Sequence, residues 1–168
     1  MSKGVGRSAR EISDSMKAGE IINWMRRRAK QMADISYKTG IIPDKESLEI
    51  LYQDAGWSIY CEDLDKLLKA FQNSCDIITA WQGEKLVGLV RTVGDGETIL
   101  YIQDLLVLKE FRRQGIGSSL LGKVVENYPG VRQKVLLTDD TRETRRFYQA
   151  ADFRKAAELD LLCYVRMT

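Results

Sequence analysis

The chain contains no histidine among its 168 residues. Without histidine, neither a Ser-His-Asp triad nor a Cys-His pair can be built from this chain alone. Zinc sites with a histidine ligand are excluded for the same reason, and the side chain that normally titrates near neutral pH is missing. An enzyme with this sequence must therefore handle protons with carboxylates, tyrosine, cysteine or water.

The few cysteines and the short apolar runs indicate where the protein resides. Cys61, Cys75 and Cys163 are odd in number and far apart, which predicts neither a disulfide framework nor a C-x-x-C metal site. No apolar run approaches the roughly 18 residues needed to span a bilayer, and the N-terminus has no apolar segment typical of a secretory signal. We therefore expect a cytoplasmic protein with reduced cysteines, no metal and no membrane partner.

The charge of the chain is unevenly divided. In total, 26 basic and 24 acidic side chains give a net charge of +2. Residues 1–33 hold eight basic and three acidic side chains, a net +5, and residues 34–168 hold eighteen and twenty-one, a net −3. This asymmetry predicts a basic N-terminal extension, residues 1–33, followed by one domain, residues 34–168.

The extension has three interpretations. It could be a helix docked on the domain or on a second subunit, a mobile tail, or a basic arm for nucleic acid. The only basic cluster is a five-residue run at 26–30, which is weak support for the third interpretation. We therefore expect the extension to be helical or mobile and do not expect a nucleic-acid partner.

Apolar periodicity predicts alternating strands and helices from residue 34 onward. Hairpins come first and a β-α-β unit follows, which implies a mixed sheet flanked by helices. Helices are predicted from Pro43-Asp44 to just before Gly56 and at residues 62–73, 115–127 and 143–151. Strands are predicted at residues 34–38, 77–81, 86–90, 98–108, 135–138 and 159–165.

The most informative segment is a strand that leads through a basic, glycine-containing turn into a helix. Glycine lets the backbone approach an anion closely, the first N–H groups of a helix lack intrahelical partners, and the helix dipole adds positive potential. P-loop and dinucleotide-binding patterns fit less well, because Val124 and Leu120 replace the hydroxyl and the third glycine that they need. The segment therefore predicts a phosphate-binding turn, Arg112-Arg113-Gln114-Gly115-Ile116-Gly117-Ser118.

Two motifs together resemble the GNAT superfamily of N-acetyltransferases. The first is Asp104-Leu105-Leu106-Val107 followed by Arg112-x-x-Gly115-x-Gly117, and the second is Phe147-Tyr148-Gln149-Ala150-Ala151-Asp152-Phe153, which resembles F-Y-x-x-x-G-F. The similarity covers residues 75–166. It implies an α/β fold of the α+β type, with a mixed, mostly antiparallel central sheet of about six to seven strands and about four flanking helices. The sheet would be splayed between the strand ending near Leu108 and the strand at 134–138.

The resemblance also implies roles for individual residues. Tyr148 matches a tyrosine that protonates the departing CoA thiolate, and Asp104 is the nearest acidic candidate for a base. A backbone N–H near Leu106 or Val107 would polarise the thioester carbonyl. Acetyl-CoA would be bound by Leu105, Leu106, Val107, Arg112, Arg113, Gln114, Gly115, Ile116, Gly117, Ser118 and Thr141.

Several positions depart from the family's pattern or have competing interpretations. Gln103 and Thr141 stand where glutamate and asparagine are frequent, and Asp152 replaces a glycine. Asp139 and Asp140 are interpreted as turn or helix-cap residues rather than bases. Three aromatic residues before residue 75 could line an acceptor site, although a core position is favoured for them: Tyr52, Trp57 and Tyr60.

The expected function is transfer of an acetyl group from acetyl-CoA to a primary amine by direct attack in a ternary complex. The acceptor would be a small molecule or a peptide, and a homodimer stays open. Two other functions stay open as well. One is a non-catalytic acyl-CoA sensor or interaction module with the same fold, and the other is an RNA-associated acetyltransferase that modifies an aminoacyl-tRNA or a ribosomal protein.

Overall fold

A computed structural model describes residues 19–23 and 35–167 of the chain. The chain divides into two compact units, residues 1–35 and 36–168, and residues 19–23 in the first unit are helical. The rest of the predicted extension, residues 1–33, lies outside the described residues. Its helical or mobile character and the domain boundary before residue 34 therefore stay predictions.

A five-stranded sheet in the order β1-β2-β3-β4-β5 is the scaffold of the fold. The β2–β3 and β3–β4 pairs are antiparallel, and β5 runs parallel to β4. Strands β2 and β3 are buried along most of their length, so the core lies around the centre of the sheet. The strands are β1 Ile35–Thr39, β2 Asp76–Gln82, β3 Lys85–Gly94, β4 Ile99–Val107 and β5 Gln133–Leu136.

Helices begin where the sequence supplies suitable ends. The side chains of Asp44, Asp63 and Thr141 accept backbone N–H groups and cap three of the helices. The remaining helix begins at Gly115 without a side-chain cap. Between residues 35 and 167 the α-helices are α1 Lys45–Ala55, α2 Leu64–Gln72, α3 Ile116–Asn127 and α4 Arg142–Gln149, with short 3-10 helices at Ser58–Cys61, Lys109–Phe111 and Ala156–Leu159.

Helices cover both faces of the sheet. Because side chains alternate along a strand, β4 contacts different helices from its two faces. Asp104 contacts Tyr52 of α1, whereas Val107 lies near Gly117 of α3. Helices α1 and α3 thus enclose the sheet, with a core that includes Leu48, Leu51, Phe71, Ile78, Leu89 and Leu120.

Strand β4 is irregular in its middle and loses one neighbour at the same place. A register shift between β3 and β4 leaves Gln103 without a partner and forms a β-bulge. β5 pairs with β4 only as far as Ile102 and ends at Leu136, whereas β4 continues to Val107. The predicted splay between these strands is confirmed, and residues 137–138, predicted as part of β5, lie beyond its end.

The predicted last strand, residues 159–165, is wrong. Ala156–Leu159 forms a 3-10 helix and residues 161–167 have no regular secondary structure. Asp160 has a left-handed φ of 56° that interrupts an extended chain, and Leu162 and Tyr164 are 78% and 89% exposed, so the apolar pattern corresponds to no buried face. The described residues therefore form five strands rather than six to seven, while the predicted α/β class with a mixed, mostly antiparallel sheet is confirmed.

Candidate functional site

A cleft of about 490 Å³ opens where β4 and β5 diverge; we call it the β4–β5 cleft. One wall is the segment that follows α1, the floor is the middle of β4, and the other wall combines the residues after β5 with one side chain of α4. The lining residues are Gly56, Trp57, Ile59, Tyr60, Ile102, Gln103, Leu105, Leu137, Thr138, Asp139 and Tyr148.

The turn from β4 into α3 ends in a helix N-terminus suited to an anion. Gly115 has a φ of 84°, and a Cβ added there would meet nothing within 4 Å. The helix has no side-chain cap and no acidic residue in its first turn. Its first backbone hydrogen bond runs from the Ser119 N–H to the Gly115 carbonyl at 2.9 Å, so the N–H groups of residues 116–118 have no intrahelical partner. The space beside Gly115 is open, and these groups and the positive end of the helix dipole favour an anion at this end of α3.

Two arginines flank this helix end. The Arg112 Nε donates to the Val107 carbonyl at 3.1 Å, which holds the side chain beside the end of β4. The Arg113 guanidinium pairs with Glu143 of α4 at 2.7 Å, and both of these side chains are exposed. Gln114 donates to the Glu110 carbonyl at 3.1 Å. The charge of Arg112 therefore lies beside the helix end, whereas that of Arg113 is offset by Glu143, and phosphate binding at this turn stays a prediction.

Tyr148 brings a phenol into the β4–β5 cleft. It is half-buried on α4, with the ring of Phe147 at 5.0 Å and that of Phe153 at 6.0 Å between centroids. Burial raises the pKa of the Tyr148 phenol, and a hydrogen bond with Thr138 partly opposes this effect. The phenol therefore stays protonated at neutral pH and can donate a proton into the cleft.

Thr141 and Gly117 fix α4 in place. The Thr141 hydroxyl accepts the Thr144 N–H at 3.1 Å and caps α4, so its predicted contact with the cofactor stays a prediction beside this structural role. A Cβ at Gly117 would lie 3.5 Å from the ring of Phe147, which shows how closely α3 and α4 approach each other. Together these contacts position Tyr148.

Asp104 is buried beneath β4 and does not line the cleft. Its Oδ2 accepts a hydrogen bond from the Tyr52 hydroxyl at 2.7 Å and from the Arg91 Nε at 2.5 Å. Burial, followed by the charge of Asp104, raises the pKa of Tyr52, which therefore remains a donor. The predicted role of Asp104 as a base stays a prediction, and this position favours a structural role instead.

Two adjacent aspartates after β5 have different surroundings. Asp140 forms an ion pair with Arg145 of α4, which lowers the pKa of the Asp140 carboxyl. Asp139 lines the cleft, and among residues 19–23 and 35–167 no side chain pairs with its carboxylate. Both aspartates are interpreted from the sequence as turn or helix-cap residues, and the difference in their surroundings depends on contacts with other elements.

Aromatic side chains that follow α1 form one wall of the cleft. Gly56 ends α1 with a φ of 84° and turns the chain toward β4. Trp57 and Tyr60, interpreted from the sequence as core residues, line the cleft instead, with their rings 5.9 Å apart. Tyr52 is fully buried, as expected, and its ring lies 6.2 Å and 5.6 Å from these two rings.

Comparison with known proteins decides the family. The sequence pattern of the acetyltransferase (GNAT) domain matches residues 73–155. The solved structure of a GNAT-family acetyltransferase from Streptococcus pneumoniae is 34% identical, with a TM-score of 0.71 over 80% of this chain and 98% of that one. This chain belongs to the GNAT family of acetyltransferases.

More distant GNAT-like structures share the fold. A protein from meticillin-resistant Staphylococcus aureus is 24% identical, with a TM-score of 0.64 over 79% of this chain and 99% of that one. An aminoglycoside acetyltransferase from an uncultured soil sample, solved with sisomicin, is 18% identical, with a TM-score of 0.60 over 81% and 97%. No curated protein matches the sequence.

GNAT acetyltransferases generally use acetyl-CoA, and the helix end of this GNAT enzyme fits its pyrophosphate. The open space at Gly115, the N–H groups of residues 116–118 and the guanidinium of Arg112 favour an anion here, while the guanidinium of Arg113 is shared with Glu143. Within residues 19–23 and 35–167, no group of three or more potential ligands could hold a metal ion. The same residues include no helix long and apolar enough to cross a membrane.

Proposed function

We propose that this GNAT enzyme transfers an acetyl group from acetyl-CoA to a primary amine by direct attack in a ternary complex. One observation carries the proposal. The segment from β4 to α3 links an uncapped helix end to a strand that lines the same cleft as Tyr148. This connection supports the proposal that anion binding and proton donation serve one reaction. The three free cysteines at 61, 75 and 163 suit the cytoplasm.

The binding part of the proposal uses backbone groups. N–H groups of residues 113–118 and the side chains of Arg112 and Arg113 would bind the pyrophosphate. Residues 103–107 of β4 have no partner on β5, so Leu105 to Val107 would add backbone hydrogen bonds to the amide groups of the pantetheine arm, as an extended ligand does at a free strand edge.

The catalytic part needs little from side chains. When bound, acetyl-CoA supplies a thioester that is already activated for attack by an amine. A backbone N–H near Leu106 or Val107 would donate to the carbonyl oxygen where negative charge develops. Tyr148 would give its hydroxyl proton to the sulphur as the C–S bond breaks and the C–N bond forms, and would regain a proton from solvent. An amine that enters as an ammonium ion would first lose one proton to water in the cleft, which frees the nitrogen lone pair for attack. The nitrogen would lose a second proton to water as the amide forms.

We assign Asp104 a positioning role. Its buried carboxylate ties Arg91 of β3 and Tyr52 of α1 to the strand beside the bulge at Gln103. It would act on the reaction only by holding β4 and the aromatic wall in place. Among the lining residues of the described chain, Asp139 is the carboxylate that a bound amine could reach directly.

The test places a negative charge at the helix end. Ser118 and Ser119 are both exposed in the first turn of α3, where glutamate favours helix formation, so both variants should fold. Ser118→Glu should weaken acetyl-CoA binding, measured by calorimetry, about tenfold or more, because like charges would be brought close together. Ser119→Glu, whose N–H is already bonded to Gly115, should change the affinity less than about threefold.

Equal acetyl-CoA affinity of the Ser118→Glu variant and the wild type would contradict the assigned anion site. Release of CoA over a panel of amines tests the reaction itself. Intact acetyl-CoA binding without release of CoA from any amine would favour the non-catalytic sensor. The RNA-associated alternative depends on residues 1–33, most of which lie outside the described residues.

A further inference from the structure

The wall of the β4–β5 cleft that follows α1 is apolar and aromatic. Ile59 on the 3-10 helix is 71% exposed and lines the cleft together with Trp57 and Tyr60. An exposed group of large apolar side chains in a cleft usually marks a binding surface. Buried Tyr52 packs against both aromatic rings and is held by its 2.7 Å hydrogen bond to Asp104, so the wall is preorganised.

The charge of the cleft is limited to one carboxylate. Asp139 is the only charged side chain among its lining residues in the described chain, which include no lysine or arginine. The neighbouring Asp140 is neutralised by Arg145. The cleft therefore offers one carboxylate that can pair with a cation, together with the apolar wall.

We propose that the acceptor is an amine that carries a single ammonium group on an apolar or aromatic body. Its ammonium group binds near Asp139, and its body packs against Trp57, Ile59 and Tyr60. This inference rests on the proposed acetyltransfer function and names the substrate class of that same cleft. Acetylation converts the ammonium into a neutral amide, so the product loses its attraction to Asp139 and is released more readily.

A polycationic amino sugar fits this cleft poorly. Its further ammonium groups would lose water against Trp57, Ile59 and Tyr60 without gaining a second charged partner, because Asp139 is the one charged side chain among the lining residues of the described chain. Each such group raises the free energy of binding, whereas an apolar body lowers it through burial. The wall and the single carboxylate therefore select for monoamines.

Initial rates of CoA release at saturating acetyl-CoA test the proposal with three probes: 2-phenylethylamine, ethylamine and sisomicin. We expect kcat/KM for 2-phenylethylamine to exceed each of the other two values about tenfold or more, because only its ring buries apolar area on the wall. Ile59→Ala should lower the 2-phenylethylamine value severalfold and the ethylamine value by a smaller factor, because the ethyl group buries less apolar area.

The charge is tested with two neighbouring variants. Asp139→Asn should raise KM for both monoamines about tenfold and leave acetyl-CoA affinity unchanged. Asp140→Asn removes the same charge one residue away, from a carboxylate already paired with Arg145, and should leave KM within about twofold of the wild-type value.

Failure of the inference and failure of the proposed function give different results. Acetylation of sisomicin at least as efficient as that of 2-phenylethylamine, or an unchanged KM in Asp139→Asn, would overturn the substrate class while acetyltransfer stands. If no probe releases CoA, calorimetry with 2-phenylethylamine and the acetyl-CoA-loaded protein decides whether the amine binds in the cleft. Binding that is lost in Asp139→Asn would support the amine site and contradict the proposed reaction, and the absence of binding would overturn the inference.

Discussion

The buried ion pair beneath β4 allows the role of Asp104 to be tested directly. Asp104 accepts hydrogen bonds from Arg91 at 2.5 Å and from Tyr52 at 2.7 Å, and the side chains of Arg91 and Asp104 are only 6% and 0% exposed. We predict that Asp104→Asn lowers the free energy of unfolding by about 3–5 kcal/mol, because it leaves a guanidinium buried without a counter-charge. Single domains have about 5–15 kcal/mol in total, so this loss is a large fraction of the stability.

A matched variant removes the whole network at once. Tyr52→Phe, Arg91→Met and Asp104→Leu together leave neither a buried charge nor a hydroxyl without an acceptor. Because replacing a buried ion pair with apolar side chains of similar volume is often neutral, we expect the stability of the triple variant to be within about 2 kcal/mol of the wild type. Urea denaturation followed by circular dichroism measures both variants.

The triple variant also separates a positioning role from a catalytic one. If Asp104 only positions β4 and the aromatic wall, kcat for acetyl transfer should stay within about tenfold of the wild type. A general base would contribute about 10²–10⁴-fold. A stable triple variant whose kcat falls a hundredfold or more would refute the positioning role, and an unchanged stability of Asp104→Asn would refute the account of the ion pair.

Three further predictions concern the proton donor, a close backbone approach and a turn. Tyr148→Phe should lower kcat about tenfold or more and leave acetyl-CoA affinity intact. Because burial raises the pKa of the wild-type phenol, activity lost through its ionisation should show an apparent pKa above that of a free tyrosine, and an apparent pKa below it would contradict the proposed role. A Cβ at Gly88 would lie 2.9 Å from the Leu106 carbonyl oxygen, so Gly88→Ala should lower the free energy of unfolding, measured by urea denaturation, by about 1–3 kcal/mol. In α3, nothing lies within 4 Å of a Cβ at Gly122, so Gly122→Ala should raise the free energy of unfolding by about 0.5–1 kcal/mol. The reverse order of the two effects would contradict the importance of the close approach at Gly88. Hydrogen bonds to the Asp95 carboxylate hold its pKa well below the usual value, so the contribution of this carboxylate to stability is complete above about pH 4 and is lost as pH falls further. In Asp95→Asn the free energy of unfolding should therefore fall less steeply below about pH 4 than in the wild type. An equally steep fall in both proteins would contradict this account.

Most elements of the fold could be predicted because their signals are local. Asp44 caps α1 and Gly56 ends it, and the strand predicted from the β-rich run at residues 98–108 contains β4. The prediction failed for residues 159–165, whose apolar side chains suggested a strand. A strand forms only where another strand offers hydrogen bonds, and no local pattern reports whether that partner exists.

The candidate site likewise has one part that local sequence predicts and one part that depends on distant segments. The turn at residues 112–118 could be predicted, because an arginine-rich turn, a glycine and a helix start are consecutive in the chain. The walls of the cleft come from residues 56–60 and 137–139, which are distant in sequence, so the sequence favoured a core position for Trp57 and Tyr60 and left the acceptor site as the alternative. Their aromatic character alone does not decide between the core and the wall of a cavity, because the cavity exists only once the two segments are brought together.

The sequence by itself determined which chemistry is open to this protein. A chain without histidine excludes histidine-based triads and histidine-ligated zinc, and its phosphate-binding turn depends on backbone N–H groups that local sequence specifies. Only the tertiary structure decided what three aspartates do. Asp104 is buried with Arg91, Asp140 pairs with Arg145, and Asp139 lines the cleft. The physical reason is that the role of a carboxylate follows from the charges and the solvent around it, and these are supplied by other strands and helices rather than by its neighbours in the chain.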